Sequence, residues 1–336
     1  MGGAPAAVAR TSASVCEVTD LTVAYHAGGE WLQAVRSVSF EVRRGEILAI
    51  VGETGSGKST TASAVIRMLP ANGRVTSGRV LFDGRDLLTL PLGAMRRLRG
   101  QEIAYVPQQP MSAFNPTMTI GRQVAEPLVI HRGMSEKKAA PQAAQRLKEM
   151  GIHEVTRVMR SYPHQLSGGM LQRAMIATAM ICQPRLLILD EPTSALDVTI
   201  QRQILGLIKQ VQAGYHLAVI LISHDLKVVS EVADRILVMY GGRGVEVGST
   251  SALMTAGRHP YTRGLLRSSM RAGLEHKSKL ASLAGYPPNP QEVDREPGCP
   301  FRPRCARALA ECSERFPPGA FDDGHGWACY NPEPAS

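Results

Sequence analysis

GETGSGKST, residues 52–60, decides how the rest of the chain is read. It follows an apolar run, EILAIV at 46–51, that has the length of a buried strand. It opens a segment, about Ser59–Met68, that reads as a helix. The spacing is G-x-x-x-x-G-K-[ST], in the strand-then-helix context that a phosphate-binding P-loop requires. Gly52, Gly55 and Gly57 let the backbone curl so that successive N–H groups point inward at phosphate oxygens. The helix N-terminus adds about half a positive charge at the same point. Lys58 is expected to reach the β- and γ-phosphates of ATP, and Ser59 to offer its hydroxyl to Mg²⁺, a cation that prefers oxygen ligands. Glu53, Thr54, Ser56 and Thr60 fill the remaining positions of the expected ATP cradle.

A second segment completes the chemistry. LLILDEP at 186–192 is a buried-strand pattern that ends in two acids. Asp190 is expected to hold Mg²⁺ directly or through water, and Glu191 to orient the attacking water or accept its proton. Paired with a P-loop, these acids point to nucleotide hydrolysis rather than to nucleotide binding alone.

Between and around the two segments, strands alternate with helices. SVSFEV, IAYVPQ (103–108), LAVILI (217–222) and RILVMYGG read as strands, and VTIQRQILGLIKQVQ reads as an amphipathic helix. Residues about 110–182 are rich in Ala, Met, Gln and Leu at helical spacing and read as a helical subdomain. The fold class is therefore α/β, a P-loop NTPase with a parallel or mixed sheet core. Residues 1–15 read as a loose leader without a signal-peptide hydrophobic region, residues 16–255 as the nucleotide-binding unit, and residues 256–336 as a separate, proline-rich and loop-rich extension.

The 336 residues are 44% hydrophobic and 20% charged, enough to bury a core and unlike a disordered chain. A net charge of +9 would tolerate anionic partners, but the basic residues are scattered over RRG (43–45), RRLRG (96–100) and RPRCAR (302–307). Aromatics at 5% are too few for an extended base-stacking platform, and no nucleic acid is expected as a partner. No apolar run approaches the roughly 18 residues that cross a bilayer, so work at a membrane would need integral partners.

YPHQLSGGMLQR, residues 162–173, brings in a family. Ser167 can cap a helix that starts at Gly168, leaving free N–H groups to face a phosphate. Ser167, Gly168, Gly169 and Met170 resemble the signature of ABC-transporter ATPases, with Met where many members have Gln. The resemblance implies an ABC cassette in which this signature closes on the ATP held by a second cassette, identical or paralogous. It implies further roles residue by residue. Tyr25, in VAYHA, is similar to the aromatic that stacks on adenine. Gln108, in YVPQQPM, is similar to the glutamine that meets Mg²⁺ and the γ-phosphate and links to the membrane subunits. Ser194, Ala195, Leu196 and Asp197 resemble the loop that crosses the dimer interface, and His224, in LISHD, resembles the switch histidine on the γ-phosphate.

Outside the cassette, HPYTRGLL (259–266), FNPTMTIG (114–121) and the cysteine tail resemble the ATP-binding subunit of dipeptide/oligopeptide permeases, a group with relatives for nickel and glutathione. That narrower resemblance implies an importer motor at the cytoplasmic face of the membrane. Its partners would be two transmembrane permease subunits and an external substrate-binding protein. A soluble ABC ATPase acting on nucleic acid or ribosomes is the alternative class, but this chain shows neither a second cassette nor a long coiled-coil insert.

The tail places Cys299, Cys305, Cys312 and Cys329 within 31 residues. A reducing compartment argues against disulfides. Four soft thiolates suit tetrahedral Zn²⁺ or an iron–sulfur cluster, and the lack of close C-x2-C pairs disfavours zinc. In related permease ATPases this tail is a [4Fe–4S] site, which is what the resemblance implies here.

Overall fold

The computed structural model describes residues 14–194, 196–271, 285–288, 291, 293 and 297–334. The expected leader therefore lies, up to residue 13, outside the described residues, and so does Ala195. Along the chain, β1 (Ser14–Ala27) and β2 (Glu30–Arg43) form a hairpin, β3 (Ile47–Val51) runs into α1 (Lys58–Val65), and β4 (Gly73–Phe82) and β5 (Arg85–Asp86) return to the hairpin. α2 (Leu92–Leu98) precedes β6 (Ile103–Val106). The segment read as a helical subdomain holds α3 (Pro110–Ala113), α4 (Ile120–Arg132), α5 (Glu136–Glu149), α6 (Val155–Arg160) and α7 (Gly168–Met180). Then come β7 (Leu186–Asp190), α8 (Val198–Tyr215), β8 (Ala218–Ser223), α9 (Leu226–Ser230), β9 (Arg235–Tyr240) and β10 (Arg243–Ser249). α10 (Thr250–Ala256), α11 (Pro260–Arg271), α12 (Glu311–Glu314), β11 (Ala320–Asp322) and β12 (His325–Trp327) follow, and short 3-10 turns stand at Pro163–Gln165 and Arg302–Arg304.

Two sheets result. One is antiparallel, in the order β2-β1-β4-β5. The other is mixed, in the order β11-β12-β10-β9-β3-β8-β7-β6, with β9 to β6 parallel. The parallel strands read as unbroken apolar runs because both of their faces are covered. Ile47, Ala49 and Val51 of β3 pack toward the helices, while Leu48 and Ile50 pack toward the antiparallel sheet and α1. β7 and β8 divide the same way, with Leu187, Leu189, Val219 and Leu221 on the helix side and Ile188, Ile220 and Ile222 on the other. Each fully buried Leu or Ile contributes roughly 1.5–3 kcal/mol. A one-residue slip of these strands would exchange the two faces.

The tail departs from the sequence expectation. Read as a separate extension, it instead continues the mixed sheet: β12 pairs with β10 (Glu246 opposite Trp327, Val247 opposite Gly326), and β11 pairs with β12. Cys299, Phe301 and Cys312 sit in the same apolar core as α7 and β8. The anchor is Glu246, only 2% exposed. Its carboxylate accepts from the Arg258 and His259 backbone N–H groups at 2.6 and 2.9 Å and pairs with His325 Nε2 at 2.7 Å. Burial alone would push its pKa up, but those hydrogen bonds draw it below the usual range.

His259 is buried beside this anchor, and its Nδ1 accepts the Tyr261 backbone N–H at 3.1 Å, which requires a neutral ring. Burial holds its pKa down to about 4, against the opposing pull of Glu246. In the unfolded chain the ring titrates near pH 6.5. Between pH 6.5 and 4 the unfolded state therefore binds a proton that the folded state refuses. This linkage removes up to about 3 kcal/mol of stability as pH falls through that window, and none above it. His259→Asn keeps an acceptor but cannot titrate, and thermal unfolding of the variant should depend less on pH between 6.5 and 4. An identical pH slope in variant and wild type would contradict this account.

Candidate nucleotide site

The loop after β3 is shaped by close approaches. A Cβ on Gly52 would lie 2.2 Å from the Met239 carbonyl oxygen, so no other residue fits there. Gly57 caps α1 at φ 98°, a conformation L-residues avoid, and a Cβ there would lie 2.7 Å from the Ala34 carbonyl oxygen. The N–H groups of the first turn of α1, at Lys58, Ser59 and Thr60, have no intrahelical partner and supply the anion-binding end.

Lys58 is 4% exposed, and its ammonium donates to the backbone carbonyls of Gly52 at 2.8 Å and Glu53 at 3.0 Å. Burial lowers its pKa, while the negative charges of Glu191, Asp190 and Glu53 act in the opposite direction. Phosphate oxygens arriving at the loop can take over those donors. Ser59 Oγ donates to Asp190 Oδ1 at 2.8 Å, tying the start of α1 to the end of β7. Asp190 Oδ2 accepts from the Tyr105 hydroxyl at 3.0 Å. Burial raises the pKa of Asp190, and the two hydroxyl donors counter it. Two oxygen donors facing each other, one of them a carboxylate, suit a hard divalent cation such as Mg²⁺.

Glu191 stands at φ 46°, a left-handed conformation that costs a non-glycine residue on the order of 1 kcal/mol or more. Its N–H is held by the Ile222 carbonyl at 3.0 Å. The turn aims its Oε2 at two residues of the expected site: Gln108 Nε2 donates at 3.1 Å, and His224 Nδ1 lies at 3.2 Å. The structure thus gathers Lys58, Ser59, Asp190, Glu191, Gln108 and His224 at the carboxyl ends of the parallel strands. Tyr25 sits beside α1, its hydroxyl donating to Thr60 Oγ1 at 3.3 Å.

The signature segment and the loop at 194–197 make contacts of their own. Ser167 caps α7 by accepting from the Met170 N–H at 3.4 Å, and Asp197 caps α8 by accepting from the N–H groups of Thr199 and Ile200 at 3.0 Å each. Ser194 Oγ donates to the Glu191 carbonyl at 3.2 Å. Leu196 and Ile200 lie against Gly168 and Gly169. Among the described residues, no hydrogen bond joins 167–170 to 52–60.

Sequence reasoning missed three residues. Tyr105 holds Asp190, and its only sequence signal is the strand alternation of IAYV. Arg304 and Tyr261, from beyond the cassette, both contact Glu53: the guanidinium forks its carboxylate at 2.6 and 3.1 Å, and the Tyr261 hydroxyl accepts its N–H at 2.8 Å.

The four tail cysteines are free and lie near one another, with the Cys299 N–H bonded to the Cys312 carbonyl at 2.8 Å. Burial, offset by a backbone hydrogen bond and reinforced by the neighbouring thiols, pushes the Cys299 thiol up to about 12. Among the described residues, no group of three or more His, Cys, Asp or Glu side chains is drawn together closely enough to hold a metal ion as the side chains stand.

An ABC transporter family model matches residues 35–194, and a model of the oligopeptide/dipeptide transporter C-terminal region matches residues 245–312. The dipeptide transport ATP-binding protein DppD of Bacillus subtilis is 44% identical over 318 residues, 94% of either chain. This chain belongs to the ABC transporter family. The oligopeptide transport ATP-binding protein OppD of Salmonella typhimurium is 42% identical, covering 94% of this ABC cassette chain and 93% of its own. A solved ATP-binding cassette, MJ0796, captured as a dimer in a post-hydrolysis state bound to ADP and Pi, superposes with a TM-score of 0.63 at 29% identity, covering 70% of this chain and 98% of its own. The ABC cassette is thus an ATP-binding and ATP-hydrolysing transporter subunit. Among its described residues no helix is long and apolar enough to cross a membrane.

Replacing Lys58 by Met should weaken ATP binding by on the order of a hundredfold, the worth of one or two charge-assisted hydrogen bonds. A fluorescent-nucleotide titration measures it. Unaltered affinity would contradict the assignment of Lys58 to the phosphates.

Proposed function

We propose that this cassette powers uptake of di- and oligopeptides at the cytoplasmic face of a membrane. Two transmembrane permease subunits, a second cassette and an external binding protein would be its partners. Support for the peptide class comes from the match to the oligopeptide/dipeptide C-terminal region and from relatives named for dipeptide and oligopeptide transport. The observation that carries the motor reading is the position of Glu191, with one carboxylate oxygen between Gln108 and His224 and its neighbour Asp190 bonded to Ser59.

In this reading Lys58 leaves the carbonyls of Gly52 and Glu53 for the β- and γ-phosphates, and the N–H groups of the P-loop cradle the rest. Ser59, Asp190 and Gln108 would hold Mg²⁺, which when bound neutralises charge developing on the phosphates. Glu191 orients the attacking water and takes its proton, and His224 fixes the carboxylate and meets the γ-phosphate. Tyr25 offers its ring to the adenine. Ser167 and the N-terminus of α7, with the loop at 194–197, close on the ATP of the second cassette. Binding would draw the cassettes together, and hydrolysis would release them.

Glu191→Gln keeps the shape of the site but removes the base. It should retain ATP binding while turnover falls by roughly 10²–10⁴-fold. Steady-state hydrolysis at the wild-type rate would sink the role given to Glu191.

For the tail, we propose an iron–sulfur cluster held by Cys299, Cys305, Cys312 and Cys329. Burial, with the charge of neighbouring thiols, disfavours the thiolate form of Cys299, Cys305 and Cys329, and a cationic group of soft ligand preference would relieve both. Protein purified without oxygen should contain about four irons and four acid-labile sulfides per chain, with broad visible absorbance. Stoichiometric zinc, or no metal, would overturn the cluster.

A further inference from the structure

The P-loop carries one acidic residue, Glu53, beside the place where the triphosphate binds. Its carboxylate is taken up from the far end of the chain. Arg304 Nη1 meets Oε2 at 2.6 Å and Nη2 meets Oε1 at 3.1 Å, a bidentate pair across 251 residues of sequence. The Arg304 side chain is 5% exposed, and its guanidinium donates also to the Tyr240 hydroxyl at 3.1 Å and lies near the rings of Tyr240 and Phe301. Glu53 is held at its backbone as well, where the Tyr261 hydroxyl accepts its N–H at 2.8 Å. Its carbonyl is one of the two acceptors of Lys58. The loop that presents Arg304 is itself fixed: Arg304 N–H donates to the Phe301 carbonyl at 3.0 Å, and Cys305 N–H to the Arg302 carbonyl at 3.1 Å.

We propose that Arg304 is a positioning residue for nucleotide binding: the docked tail draws the Glu53 carboxylate aside and neutralises it, so that the triphosphate meets a P-loop with no opposing charge. The inference rests on residues 52–60 holding the phosphates of ATP. Its physical content is electrostatic. At a few ångströms in a partly buried site, a bare carboxylate repels a polyanion by several times the thermal energy, and a bidentate guanidinium cancels most of that field. The tail is then part of the nucleotide site, and its docking through β12 and Glu246 sets how tightly the loop binds ATP.

The test is a double-mutant cycle on the full-length chain, read as the dissociation constant for Mg·ATP and as KM against kcat for hydrolysis. Arg304→Met should weaken ATP binding by roughly tenfold, with the loss in KM rather than in kcat. Arg304→Lys, which keeps the charge but loses the fork, should lose no more than about a third as much. In a Glu53→Gln background, Arg304→Met should have almost no further effect, because no carboxylate remains to be neutralised. If Arg304→Met weakens binding equally with Glu53 and with Gln at that position, the guanidinium acts through packing and the proposal fails. Wild-type affinity in Arg304→Met also overturns it. Lys58→Met, run alongside, separates the two levels: if it too binds ATP normally, the phosphate assignment of the P-loop is what fails.

Discussion

β3 is buried on both faces and paired on both sides by parallel strands, β8 and β9, and the nucleotide site hangs from that confinement. A five-residue strand so enclosed has one register available. Its last residue therefore delivers Gly52 to a fixed point against the Met239 carbonyl, where the chain must curl and start α1. Because β7, β8 and β9 run parallel to β3, their following loops open on the same edge of the sheet. Asp190 and Glu191 leave β7 there, and His224 leaves β8 there, so acids, histidine and phosphate loop converge without any of them being neighbours in sequence.

That convergence concentrates charge in a place with little water. Lys58 is buried among three carboxylates, and burial works against its charge while they work for it. Asp190 would be costly to bury as a carboxylate without the hydroxyls of Ser59 and Tyr105. Glu53 is balanced by Arg304. The loop is held by contacts of the kind that phosphate and a divalent ion would take over: lysine on carbonyls, serine on aspartate.

What the sequence made legible follows from how local each signal is. The P-loop is nine consecutive residues, and its strand and helix flanks lie directly beside it. Asp190 and Glu191 could be assigned because they end an apolar strand, and Ser167 because capping is a short-range pattern. Gln108 and His224 needed the family resemblance, since nothing in their own neighbourhood predicts that they meet on one oxygen of Glu191. Tyr105 and Arg304 were hidden: one looks like any strand tyrosine, and the other is paired with a residue 251 positions away. The tail was read as separate because its strands are three residues long and lie among prolines, too short for periodicity to register. Only the sheet edge offered by β10 makes strands of them. The cysteine spacing identified a cluster of thiols, but spacing alone does not fix the geometry of a ligand set.

The measurement that tests the account most directly is amide hydrogen exchange on the whole chain with and without Mg·ATP, read by peptide mass. The account predicts that nucleotide slows exchange across residues 52–60 by roughly tenfold or more, since those N–H groups become donors to phosphate. The same slowing should be lost in Lys58→Met. Protection by ATP that falls elsewhere in the chain, with residues 52–60 exchanging as fast as before, would contradict it.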